Sequence, residues 1–124
     1  MSSIHRFTGD SSNLSWEGVT AATYESEELK GVFKHLLVGP QDQAPNFEMR
    51  YFRFNPGSRS DLVRHDKDYA FLVLHGSVKM QVNDDFFELH PFDVAYVPVG
   101  DLLQFTTLGE EPFGVICITV AAKK

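Results

Sequence analysis

The sequence predicts an all-β fold, a small barrel or sandwich of short strands. Three observations lead there. In residues 77–83, Val78, Met80 and Val82 alternate with Ser77, Lys79, Gln81 and Asn83, a period of two that gives one buried and one wet face. Eleven Phe and four Tyr, together with abundant Val, favour extended chain. Finally, strand-like runs recur at short spacing between Gly and Pro breakers, and no long helical period interrupts them.

Taken in order, residues 1–30 are more polar and less regular. They read as an N-terminal arm that packs on the barrel or on a partner subunit, with Trp16 as its anchor. A single helical turn is expected over 25–30. Strands follow over 31–38, closed by Gly39-Pro40, and over 47–54, closed by Pro56-Gly57. The next runs from 69 to 75. Residues 77–83 then lead through the turn Asn83-Asp84-Asp85 to a partner strand at 86–89. Strands at 94–97, 103–107 and 113–120 complete the set, separated by Pro98 with Gly100 and by the stretch 109–112. Several strands are apolar on both sides: Tyr69, Phe71 and Val73 alternate with Ala70, Leu72 and Leu74. Such strands need cover on their outer face, which predicts packing by the arm or by a second subunit, and hence a homodimer.

The chain has 124 residues, 43% hydrophobic and 23% charged, the balance of an ordinary globular domain. Eleven basic against seventeen acidic residues leave a net charge of −6. This argues against nucleic acid, whose phosphates need a basic surface, and against an anionic membrane. Cys117 is the only cysteine and lies in an apolar run, so it reads as a buried, inert thiol rather than a nucleophile. The N-terminus has no apolar signal core and no stretch approaches a membrane span, so a cytoplasmic protein is expected.

Two segments carry a motif. Pro56-Gly57 is followed by five residues to Val63, then His65, Tyr69 and, six residues further on, Gly76. Later, Phe92 precedes Asp93-Val94-Ala95-Tyr96-Val97, then Pro98-Val99-Gly100, Leu103, Gln104-Phe105 and Thr107. This paired pattern resembles the two motifs of the cupin superfamily and spans about residues 31–120, with Phe113-Gly114-Val115-Ile116-Cys117 similar to the last strand. The resemblance implies a double-stranded β-helix (jelly-roll) barrel over residues 31–124, behind the arm. In that family His-x-His, Glu and a later His hold a divalent metal. The matching positions here are Val63, His65, Tyr69 and Leu103, so one ligand of four remains. Phe92 stands where the family has Gly, and Thr107 where it has Asn. The motif glycines Gly57, Gly76 and Gly100 are expected at tight turns or at φ > 0.

Val63 and Leu103 offer no lone pair, and Tyr69 would ligate only as a phenolate, whose reference pKa is about 10. One imidazole does not hold a transition metal tightly. No cofactor is therefore expected, and His65 is the ligand if a divalent metal is bound at all. Asp66 and Asp68 have the wrong strand parity relative to His65, and Asp61 belongs nearer the mouth. His5, His35, His75 and His90 show no metal spacing, and His75 and His90 flank turns and read as solvated. The resemblance, read with strand parity, implies an interior containing Val63, His65, Tyr69, Phe71, Met80, Leu103 and Phe105, together with Val73, Val78, Val82 and Cys117. Two readings of this interior stand side by side: a filled core, or a pocket for a small organic ligand. His65 likewise reads either as a satisfied structural histidine or, with Tyr69, as a proton-transfer pair. The functional expectation is a small-molecule-binding or regulatory module. The alternative is an enzyme, either a metal-dependent oxygenase or isomerase with unusual ligands or a metal-free isomerase using His65 and Tyr69.

Overall fold

The computed structural model describes residues 2–10, 13–24 and 31–121. Their backbone forms ten strands: β1 (Ala21–Tyr24), β2 (Val32–Val38), β3 (Phe47–Phe54), β4 (Val63–Arg64), β5 (Tyr69–His75), β6 (Ser77–Val82), β7 (Asp85–Leu89), β8 (Val94–Val97), β9 (Leu102–Leu108) and β10 (Phe113–Val120). A single 3-10 turn occupies Pro40–Asp42, and the helical turn expected over 25–30 lies outside the described residues. The strands make a six-stranded sheet in the order β1-β2-β3-β10-β5-β8 and a four-stranded sheet in the order β4-β9-β6-β7, antiparallel throughout.

Alternation then sorts the side chains. Phe52 and Phe54 of β3 face inward, as do Phe71 and Val73 of β5, Val78 and Met80 of β6, Leu103 and Phe105 of β9, and Phe113, Val115 and Cys117 of β10. They form one apolar cluster between the sheets. Each Val or Phe fully buried there contributes about 1.5–3 kcal/mol relative to exposure. The opposite parity builds a second cluster on the outer face of the larger sheet. There Tyr51, Leu37 and Ile116 are buried with Leu72, Leu74 and Met49, under Leu14, Trp16 and Val19 from the arm. Trp16 meets Tyr51 and His35 edge-on, with ring centroids 5.2 and 5.9 Å apart. His5 ties the arm to the 3-10 turn through Asp42 at 2.7 Å.

His75 departs from the expectation of a solvated turn residue. It is half-buried; Tyr51 Oη donates to its Nε2 at 2.5 Å and its Nδ1 donates to the Pro112 carbonyl at 3.0 Å. A bulge in the β5–β10 register at Gly114/Val115 turns His75 onto the outer face. Its ring fills the space beside Gly114, where any Cβ would collide with it. Next to it, Gly76 joins the two sheets at φ 73°, with the Pro112 carbonyl where a Cβ would have to lie, so both conformation and space require glycine. Phe92 adopts the same left-handed backbone, φ 73°, although it has a side chain. His90 does stay exposed, between Ser77 and Glu88.

Candidate functional site

A cavity of about 200 Å³ opens between the sheets. The short strand β4 lays Val63 directly opposite Leu103 of β9. Val63 is 41% exposed at the rim, while Leu103 is 4% exposed in the wall. His65 follows β4, where its carbonyl accepts the Gly100 N–H at 2.9 Å. Its ring meets Tyr69 edge-on at 4.7 Å, and Tyr69 stacks over Phe71 at 5.8 Å with planes 8° apart. Phe105 then meets Phe71 edge-on at 5.0 Å. Val63, His65, Tyr69, Phe71, Leu103 and Phe105 thus all line one cavity. Met80 does not: it is buried in the core cluster, paired with Phe105 of β9 and Phe87 of β7, and forms no part of the wall.

Neither ring nitrogen of His65 has a hydrogen-bond partner among the described residues. Burial lowers its pKa from 6.5, and the nearby Asp66 offsets this only in part, so at neutral pH the ring is an uncharged imidazole. Cys117 also lines the cavity, and burial pushes its thiol up to about 12. A thiol so far from ionisation is a poor nucleophile.

Strand β3 adds two charged residues that the sequence reading left out of the interior. Glu48 and Arg50 share the inward parity of Phe52 and Phe54, and Arg50 lines the cavity. Arg50 donates from Nε and Nη2 to Glu48 Oε1, at 3.1 and 2.5 Å. Burial lowers the Arg50 pKa, but Glu48 more than offsets that and the guanidinium stays charged. The signal in the sequence was present: opposite charges two residues apart on a strand share one face, here the face carrying the phenylalanines.

Asp61 and Ser60 border the cavity, and Ser60 Oγ accepts the Phe105 N–H at 2.8 Å. Asp68 is occupied elsewhere, its carboxylate accepting the Val99 N–H and its carbonyl the Thr119 hydroxyl. Among the described residues, no group of three or more His, Cys, Asp or Glu side chains could hold a metal ion. The cavity offers one imidazole beside Val63 and Leu103, a donor set that does not fit a tightly held transition metal.

A family model described as "Cupin domain" matches residues 50–119, more than half the chain. The chain belongs to the cupin family. Among curated proteins it is similar to a 1-methylthio-D-xylulose 5-phosphate methylsulfurylase from Rhodospirillum rubrum, 26% identical over 115 residues, covering 90% of this chain and 72% of that protein. Among solved structures, a cupin-2 domain protein from Rhodospirillum rubrum superposes with a TM-score of 0.82 at 26% identity, covering 95% of this chain and 80% of the other. A cupin 2 conserved barrel domain protein from Rhodopseudomonas palustris gives a TM-score of 0.83 at 24% identity, covering 98% and 83%.

Proposed function

We propose that this chain is a cupin that binds a small organic molecule in the cavity between its sheets, without a metal. The observation that carries the reading is the cavity itself. Its wall of Phe52, Phe54, Phe71 and Phe105 is interrupted by a few polar groups, His65, Tyr69, Arg50, Ser60 and Asp61, the composition of a ligand pocket. A barrel filled as plain core would leave no such space. Ligand-observed NMR with a library of single-ring compounds tests this against Leu103→Trp, which inserts an indole into the cavity. The proposal predicts binders that are lost in the variant. Equal signals from both proteins would contradict it.

A second reading, an enzyme, is favoured by the imidazole of His65 next to Tyr69. With His65 neutral, the pair has a base and an acid at one end of an apolar pocket, the requirement for moving a proton on an enolisable substrate. The name of the Rhodospirillum rubrum relative supports catalysis in this part of the family. Its substrate carries a phosphate, whereas the one arginine of this cavity is already ion-paired, so we do not carry that substrate over.

We further propose a cytoplasmic homodimer. The larger sheet exposes Phe47, Val94, Tyr96, Ile118 and Val120 on its outer side, next to the open edge of β8. Light scattering at micromolar concentration reads the mass directly, and a monodisperse monomer would remove this part of the proposal.

A further inference from the structure

We propose that the cavity selects uncharged ligands, a single aromatic ring or a body of that size bearing a hydroxyl or carbonyl, over their carboxylate or phosphate counterparts. The proposal rests on the reading of the cavity as a ligand pocket and names the ligand class.

Size sets the first limit. An engineered cavity of about 150 Å³ holds one benzene, so about 200 Å³ admits one ring with a small substituent. The four phenylalanines of the wall suit a flat apolar body.

Charge sets the second. The wall contains one cation, Arg50, and one carboxylate, Asp61. Arg50 already directs Nε and Nη2 at Glu48, whose side chain is 7% exposed against 15% for Arg50. Lys34 is electrostatically coupled to the same pair but is not part of the wall, and burial lowers its pKa. An anion entering the cavity therefore has two options. It can draw Arg50 away and deprive the buried Glu48 carboxylate of its bidentate partner, or it can stay near a guanidinium that Glu48 has neutralised, with Asp61 repelling it. Both cost free energy, because an ion stripped of water needs an uncommitted counter-charge. A neutral hydroxyl or carbonyl avoids the cost. His65 offers an uncharged ring that donates from one nitrogen and accepts at the other, with no internal competitor among the described residues.

The experiment is isothermal titration calorimetry with three probes sharing one ring: para-cresol, para-toluate and para-tolyl phosphate. At about pH 7.5, para-cresol is expected to bind at least roughly tenfold more tightly than either anion. In Glu48→Gln, Arg50 loses its counter-ion, and para-toluate should gain about tenfold while para-cresol stays within about threefold. If para-toluate or para-tolyl phosphate binds the native protein as tightly as para-cresol, the neutral-ligand class is overturned and the pocket reading survives. If no probe binds, the pocket reading fails and takes this inference with it. If the native ranking holds but Glu48→Gln leaves it unchanged, the Arg50–Glu48 pair is not its cause. Should the variant fail to fold, the native ranking still decides the ligand class.

Discussion

Val63 and Leu103 stand opposite each other across the β4–β9 pairing, at two of the four positions where the cupin resemblance places metal ligands. Facing apolar residues offer an ion no lone pair on that side of the site. The triple variant Val63→His, Tyr69→Glu, Leu103→His would return three donors beside His65. It should retain roughly one equivalent of cobalt(II) after desalting, read from visible absorbance, while the native protein retains none. One equivalent on the native protein would contradict the account of the cavity as metal-free.

Phe92 should be replaceable with profit. Its left-handed φ of 73° is fixed by its own N–H donating to Val73 at 2.7 Å and by the Val73 N–H donating to Asp93 at 3.0 Å. Its side chain is 75% exposed, so little packing is lost on truncation. Phe92→Gly is expected to raise unfolding stability by about 1 kcal/mol in urea, the left-handed penalty of a residue with a Cβ less the entropy cost of glycine.

Acid should weaken the packing of the arm through His35. It is 7% exposed between Trp16 and Tyr51, its Nδ1 has no partner among the described residues, and burial, followed by the charge of Arg53, lowers its pKa from 6.5. A depressed folded value means that its contribution is complete above 6.5 and is lost as pH falls below it. His65 shifts the same way, whereas His5, raised mainly by its bond to Asp42, contributes below 6.5 and loses that contribution as pH rises. Urea unfolding should therefore show a decline toward acid that flattens in His35→Phe. An unchanged slope in that variant would assign the decline to other groups.

Cys117 should be silent toward thiol reagents despite lining the cavity. With its pKa pushed up to about 12, the folded protein should not react with Ellman's reagent in the minutes needed to titrate one thiol in denaturant. Rapid reaction of the folded protein would show that solvent reaches the cavity as bulk water.

Tyr51→Phe should cost about 1–2 kcal/mol, because His75 Nε2 loses the hydrogen bond that Tyr51 Oη donates on the outer face of the larger sheet. Gly114→Ala should cost more, since its methyl would overlap the His75 ring.

The strands were legible in the sequence wherever period and punctuation agreed. Residues 77–83 and 113–120 fall on β6 and β10 within a residue, the first because its alternation is undisturbed, the second because an apolar run follows the breakers of 109–112. The strand β1, Ala-Ala-Thr-Tyr, carries no alternation and forms only by pairing with β2; β4 is two residues long. At the site, parity brought out the apolar wall but could not give depth, which is why Met80 falls in the core below the cavity wall. Charges are ordinarily assigned to solvent, and that habit hid Glu48 and Arg50, whose inward direction is fixed by pairing with Thr119 and Cys117. His75 was hidden by a register shift, which period-two counting does not detect.

The most direct test of the central claim is a crystal structure of the protein soaked with para-cresol. The ring should lie inside the cavity against Phe71 and Phe105, with its hydroxyl within hydrogen-bond distance of His65 or Tyr69. A cavity collapsed onto its own side chains, or para-cresol bound only outside it, would contradict the claim.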